Sequence, residues 1–310
     1  MRQSYYWDDF ENRAKETCIS LRSNSLPKIR RVAIFITDKC NFKCKYCNSI
    51  NGKTTMSENT FNAILNKYGN DAIIHITGGE PSCVPWLYPF LKKNGQKYKF
   101  HLNTNAFIMP PAESVRRLKI SLDSYDHVYW DCLVGRKNAF KTVLTNIKKA
   151  SEKTITTITY TLTKENFKTA VEFSEFIQKE IPNLYAIFFS IYKGTNPEYI
   201  INDQNADIFF NNVIPRLLIT LIPESVALLK ETIDEKNRLI NGVRFPENNL
   251  NEPCYLSMSE RVFSPDGYEY NCSHLYRDHI FNKTSIKNKK CLYGCNRRLI
   301  QFNEYVSNNI

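Results

Sequence analysis

Six stretches rich in β-branched and aromatic residues, each followed by a helical pattern or a turn-rich loop, set the tightest limit on how this chain folds. Val32–Thr37, Asp71–Thr77, Tyr98–Thr104, Leu118–Asp123, Ile155–Leu162 and Leu184–Tyr192 read as strands. Helical patterns lie between them. Ser57–Tyr68 has Ser57 as a natural N-cap and places Phe61, Ile64, Leu65 and Tyr68 on one face. A shorter helical piece covers Pro85–Lys93. Asn138–Glu152 aligns Phe140, Val143, Leu144 and Ile147, and Lys164–Ile181 runs up to Pro182. Strands alternating with helices imply a parallel sheet with right-handed crossovers. Six such units are too few to close an eight-stranded barrel. The predicted class is therefore α/β, a partial (β/α)6 TIM-like barrel, whose chemistry belongs at the C-terminal ends of the strands.

The texture changes along the chain. Residues 1–30 read as an N-terminal helical segment, 31–200 as the barrel core, and 201–247 as a helical connector interrupted by Pro215 and Pro223. Residues 248–310 read as a small, turn-rich, cysteine-bearing domain, with the boundary near Arg244–Glu252. No internal repeat and no low-complexity linker breaks the pattern. No run approaches the roughly 18–20 apolar residues of a membrane span. The first nine residues carry acids and aromatics where a signal peptide needs an apolar stretch. The expected location is cytoplasmic, without a membrane partner.

The chain has ten cysteines, and seven of them fall into two tight groups. Cytosolic thiols are kept reduced, so such groups point to metal binding or chemistry rather than to a disulfide framework. The net charge is +11. Its densest source is Arg136–Lys153, where Arg136, Lys137, Lys141, Lys148, Lys149 and Lys153 face only Glu152. Such a segment is either a solvated helix face or a surface for an anionic partner such as a nucleotide or nucleic acid.

The first group, Cys40-Asn-Phe-Lys-Cys44-Lys-Tyr-Cys47, directly follows the first strand. Three thiolates can hold three irons of a cubane cluster and leave the fourth iron open. The alternative is a zinc knuckle, which would need a fourth ligand that the neighbouring sequence does not supply. C-x3-C-x2-C after the first strand of a partial barrel resembles the signature of the radical S-adenosylmethionine superfamily, and Tyr46 before the third cysteine fits that pattern. Gly78-Gly79-Glu80-Pro81, one strand later, resembles the family's GGEP motif. Asn103-Thr104-Asn105 resembles the TNG-like end of the third strand, with Ala106 in place of Gly. Ser121-Leu122-Asp123 resembles the SLD at the end of the fourth, although capping or turn chemistry explains those two polar residues as well.

The resemblance implies a [4Fe–4S] cluster on Cys40, Cys44 and Cys47, with an open iron chelated by the methionine end of S-adenosylmethionine. It further implies cofactor contacts from Tyr46, Gly78, Gly79, Glu80, Pro81, Asn103, Ser121 and Asp123. Glycines admit backbone close to a ligand, and Glu80 can accept from an ammonium group.

The second group is Cys254, Cys272, Cys291 and Cys295, with Gly267 inside a C-x12-G-x4-C interval. That interval resembles the opening of the SPASM extension, and four cysteines suit its shortened twitch form, implying one auxiliary Fe–S cluster, expected to be [4Fe–4S]. A four-cysteine zinc ribbon is the alternative, and His274 and His279 are candidate ligands in either case. Cys18, Cys83 and Cys132 read as small buried hydrophobes. Cys83 and Cys132 are also candidates to donate a hydrogen atom to a substrate radical.

The resemblance implies reductive cleavage of the cofactor to a 5′-deoxyadenosyl radical, with a reductant such as flavodoxin or ferredoxin as partner. The substrate is expected to be a peptide or natural-product precursor. A sugar, aminocyclitol or nucleotide is the alternative, with oxidation and epimerisation both open. Only about 30 residues precede the first strand, too few for the winged-helix leader-recognition domain of many peptide-modifying relatives. A basic zinc module holding nucleic acid is the reading from another class.

Overall fold

The computed structural model describes residues 4–47, 52–192, 194, 196–234, 254–273, 276 and 297–310. The expected boundary near 244–252, Cys291, Cys295, His274 and His279 lie outside the described residues.

The chain opens with helix α1 (Ser4–Arg22) and enters the sheet at β1 (Arg31–Phe35). Then follow α2 (Glu58–Tyr68), β2 (Ile73–Thr77), α3 (Leu87–Asn94), β3 (Lys99–Thr104) and β4 (Arg117–Ser121). Next come α4 (His127–Val134), α5 (Ala139–Ser151), β5 (Ile155–Leu162), α6 (Ala170–Glu180) and β6 (Ala186–Ile191). The connector holds α7 (Asp203–Ile208), a π-helical turn at Phe209–Val213, α8 (Ile214–Thr220) and α9 (Pro223–Asp234). After it come β7 (Glu260–Phe263), β8 (Glu269–Tyr270) and α10 (Arg297–Asn308).

The six predicted strands all form, β5 with the predicted bounds and the others shifted or shortened by one or a few residues, and they lie in one open sheet of order β6-β5-β4-β3-β2-β1-β7-β8. Neighbours from β1 to β6 pair in parallel, for instance Ile34 with Ile76 and Ile158 with Ile187. The pleat sends alternate side chains to opposite faces. Val32 and Ile34, Ile74 and Ile76, Phe100 and Leu102, and Leu118 and Ile120 belong to the large core under the helices. Ala33 instead joins Val262, Tyr270 and Tyr276 on the other face. Periodicity in α2 acts as read: Ser57 accepts from the Thr60 amide, and Phe61, Ile64 and Leu65 are buried.

Three features escaped the sequence reading. β7 joins the sheet as a seventh parallel strand beside β1, pairing Arg31 with Glu260, and β8 turns back antiparallel to it. Gly267 makes that turn at φ +87°, where an L side chain is strained. α4 carries apolar residues all round and so lacks a helical period, yet Asp126 caps its start and Gly135, at φ +66°, ends it. Finally, α1 packs against α10, building a second small core from Ala14, Cys18, Leu256, Phe302 and Val306.

Phe302 is fully buried there, with the Arg13 guanidinium 5.5 Å from its ring centroid. Phe302→Ala removes a ring from a closed core, a change that costs about 3–5 kcal/mol. Hydrogen exchange of the α1 and α10 amides is expected to speed up while the β2–β5 amides keep their protection. Uniform protection in both regions would contradict this packing.

Candidate functional site

The segment carrying Cys40, Cys44 and Cys47 leaves the C-terminal end of β1 and is fixed by backbone bonds from two sides. On one side is the turn after β2. The Gly79 amide donates to the Thr37 carbonyl at 2.6 Å, and the Glu80 amide to the Lys39 carbonyl at 2.7 Å. Both glycines are required by this contact. A Cβ on Gly78 would lie 2.5 Å from the Thr37 carbonyl oxygen, at a φ of +141°, and one on Gly79 would collide with the Lys39 carbonyl. Among the described residues, the space a side chain would take is filled by the cysteine segment itself.

On the other side is α4. The last carbonyls of a helix lack partners within it, and here the cysteine segment supplies them. Lys43 N–H donates to Val134 O at 2.9 Å and Lys45 N–H to Leu133 O at 3.0 Å. Arg136, just past the helix, donates to the Asn41 carbonyl at 3.0 Å and stacks over Phe107 at 3.8 Å. α4 is the element around the cysteine segment that sequence reasoning missed; the Asp126 and Gly135 caps were the signal for it.

Buried carboxylates tie this frame to β3, β4 and β5. Glu80 is 1% exposed; its Oε1 accepts from Ser82 N–H at 3.0 Å and Thr104 O–H at 2.6 Å, and Oε2 from Asn105 N–H at 2.6 Å. Asn105 Nδ2 in turn donates to Asn41 Oδ1 at 2.7 Å. Asp123, equally buried, accepts from Tyr46 O–H at 2.5 Å and Thr161 N–H at 2.6 Å. Tyr46 also meets Tyr192 and Tyr199 edge-on, with ring centroids 6.5 and 6.2 Å away. Burial raises the carboxyl pKa of both Glu80 and Asp123, against the pull of their donors. Burial also pushes the Tyr46 hydroxyl up, aided by the Asp123 charge, so it serves as a donor.

Cys40 and Cys44 are half-buried and Cys47 is exposed. Burial pushes the Cys40 thiol up to about 11, and it raises Cys44 too, with further upward pressure from Asp123 and the neighbouring thiols. Cys40 and Cys44 thus lie near enough to each other and to Cys47 to feel a charge on the neighbouring thiols. Among the described residues no three Cys, His, Asp or Glu side chains close on a single metal ion. A cubane asks for something else, one thiolate for each of three separate irons. Three closely spaced thiols, two of them partly buried, fit such a group.

The remaining predicted contacts divide. Asn103 projects from β3; its Oδ1 is buried with no hydrogen-bond partner among the described residues, and the same holds for Thr159 Oγ1 on β5. Ser121 is exposed at the end of β4, in register with Thr159. Unsatisfied polar atoms on neighbouring strands fit a polar ligand such as S-adenosylmethionine. Pro81 is buried at the start of a 3-10 turn, whose last residue is Cys83. Cys83 is half-buried, raises the Cys40 pKa and is itself influenced by Lys39 and Arg136. Cys132 is not a buried hydrophobe: it is exposed on α4, with Lys45 Nζ 3.3 Å from its sulfur. In the second group, Cys254 is exposed and Cys272 buried, at the same end of the β7–β8 hairpin. Two cations of the basic segment are engaged within the chain, Lys148 with Glu180 at 2.5 Å and Lys153 with Glu113 at 3.2 Å.

An open parallel sheet, with a three-cysteine segment at the end of its first strand and a Gly-Gly-Glu turn locked against it, defines a radical S-adenosylmethionine domain. Residues 34–177 match the Radical SAM superfamily. A probable GTP 3′,8-cyclase from Methanococcus maripaludis is 31% identical over 144 residues, a stretch covering 41% of this chain. The match spans 46% of that relative, less than half its length. Among solved structures, Streptococcus suis SuiB has a TM-score of 0.61 at 16% identity, covering 91% of this chain and 67% of its own. The protein anSMEcpe with bound AdoMet has a TM-score of 0.59 at 14% identity, covering 90% of this chain and 82% of its own. No described helix is long and apolar enough to cross a membrane.

Glu80→Gln places an amide N–H₂ against donors that now meet a carboxylate oxygen. Leaving one such buried group unsatisfied costs about 1–3 kcal/mol. Urea unfolding is expected to show that loss with an unchanged slope. The raised Glu80 pKa also means that the native protein holds its proton more tightly than the unfolded chain, so this group's contribution falls as pH climbs from the ordinary carboxylate range through the raised value. That part of the pH dependence is expected to vanish in Glu80→Gln; its persistence would assign it elsewhere.

Proposed function

We propose that this chain is a radical S-adenosylmethionine enzyme whose cluster is held by Cys40, Cys44 and Cys47. The observation that carries the reading is the backbone stitching of that cysteine segment to the Gly78-Gly79-Glu80 turn and to the end of α4. When bound, the cluster and cofactor supply reductive cleavage to methionine and a 5′-deoxyadenosyl radical able to take a hydrogen atom from a substrate. The chain's own part is to hold and orient. Asn103, Ser121 and the turn at 78–81 are placed to bind the cofactor's polar groups, while Glu80 and Asp123 keep the strand ends around it fixed. Tyr46, Tyr192 and Tyr199 form an aromatic wall beside the third cysteine that excludes water. Cys83 and Cys132 remain the two thiols proposed as hydrogen-atom donors. A reductant of the flavodoxin or ferredoxin type and an auxiliary cluster using Cys254, Cys272, Cys291 and Cys295 complete the proposed machinery.

For the substrate, a peptide or natural-product precursor is the preferred reading. Two proteins of similar fold were solved with peptides, SuiB with its precursor peptide SuiA and anSMEcpe with the Cp18Cys peptide. A nucleotide is the second reading. The relative with the GTP-cyclase name favours it, and so does the inner wall, where Lys119 of β4 lies in register with Asn103 and over the Phe188 ring at 4.4 Å.

Anaerobically reconstituted protein with dithionite and S-adenosylmethionine is expected to form 5′-deoxyadenosine. Cys44→Ala is expected to lose iron and at least about 10²-fold of that rate, since removing one of three ligands leaves the cluster without its anchor. Cleavage persisting in Cys44→Ala, or absent from iron-loaded native protein, would overturn the proposal. Product analysis of Cys83→Ala and Cys132→Ala then tests the donor role. An unchanged product from both ends that part.

A further inference from the structure

The cysteine segment also carries charge of one sign only. Residues 39–47 carry Lys39, Lys43 and Lys45 and no acid; residues 132–138, which hold that segment from the side, carry Arg136 and Lys137 and no acid. All five cations are exposed. They are contiguous in space as well as in sequence. Lys39 and Arg136 both act on Cys83, and a Cβ on Gly135 would lie 3.3 Å from Lys43 Cβ. Lys45 reaches Cys132, with Glu165 the acid acting on it. Cys47, the exposed ligand candidate, opens at this same surface.

We propose that this collar of Lys39, Lys43, Lys45, Arg136 and Lys137 is the docking surface for an acidic one-electron carrier protein that reduces the cluster. The proposal rests on the radical chemistry proposed above, because only a centre that must receive one electron needs such a carrier. Transfer between proteins weakens steeply with distance, so the carrier has to seat where a cysteine ligand reaches the surface, and Cys47 does so inside the collar. Complementary charge raises the encounter rate and fixes orientation. Nucleic acid fits less well. It asks for a longer cationic track following successive phosphates, and along α5 and just past its end that track is interrupted where Lys148 and Lys153 pair with Glu180 and Glu113.

The test compares native holoprotein with the variant Lys137→Glu at matched iron content. Affinity for an oxidised acidic flavodoxin is measured by titration, and 5′-deoxyadenosine formation is driven either by reduced flavodoxin or by dithionite. The native affinity is expected to fall as salt rises from about 50 to about 300 mM, as screened surface charges require. The variant is expected to bind the flavodoxin at least about tenfold more weakly and to lose a similar factor in flavodoxin-driven turnover. Its dithionite-driven rate is expected to stay within about twofold of native, because a small reductant needs no docking surface. Unchanged flavodoxin affinity, or equal losses with both reductants, would overturn the proposal. So would an RNA oligonucleotide that binds the native protein more tightly than flavodoxin and is released by the same variant. No cleavage with dithionite in the iron-loaded native protein would instead sink the underlying chemistry, and the collar's role with it.

Discussion

The direct backbone contact between the Gly78-Gly79 turn and the Thr37–Lys39 exit from β1 is what the site depends on. Two amide-to-carbonyl bonds at 2.6 and 2.7 Å join segments whose atoms leave no space for a Cβ. Every other placement follows from it. Glu80 sits at the end of that turn and reaches the end of β3; Asn105 returns from β3 to Asn41 between the first two cysteines. Asp123 and Tyr46 then tie the third cysteine's neighbour to β4 and β5. A change at one strand end is therefore felt at the cysteines through hydrogen bonds, without any direct contact with them.

This arrangement gives the motif residues a second meaning beside the one their resemblance implies. Glycine at 78 and 79 was expected to let backbone approach a ligand, and Glu80 to accept from an ammonium group. In the structure the glycines let one loop lie flush on another, and the Glu80 carboxylate already accepts three bonds from the chain. A carboxylate has about four acceptor sites, so one remains for a ligand. Preorganisation and binding are compatible here, because a carboxylate fixed by three donors offers its last site in one direction only.

The strand–helix alternation made the sheet legible, because each strand's apolar face and each helix's 3.6-residue period are written locally. The cysteine segment and its turn were legible for the same reason: both are short and contiguous. What was not legible depended on distance along the chain. β7 is four residues long and finds its partner β1 about 230 residues upstream, through pairs such as Arg31 with Glu260. No local pattern announces such a pairing. α4 failed differently: His127–Val134 is too uniformly apolar to show a period, so only its caps marked it. The Asp123–Tyr46 bond spans 77 residues and joins two motifs that had been read separately.

The topology also constrains what the two cysteine groups can do to each other. Cys40, Cys44 and Cys47 follow the C-terminal end of β1, whereas Cys254 precedes β7 and Cys272 follows β8, which runs back to the N-terminal end of β7. Since β1 and β7 are adjacent and parallel, Cys254 and Cys272 lie at the opposite end of neighbouring strands from the first group. A five-residue strand spans about 16 Å. Groups so placed cannot touch the same few atoms of a small substrate. Any part that Cys254 and Cys272 take in the chemistry of the first group must pass along this sheet as an electron or as structural support. β7 contributes to the latter already, because Glu260 holds Arg31 at 2.9 Å at the start of the strand that presents the cysteines.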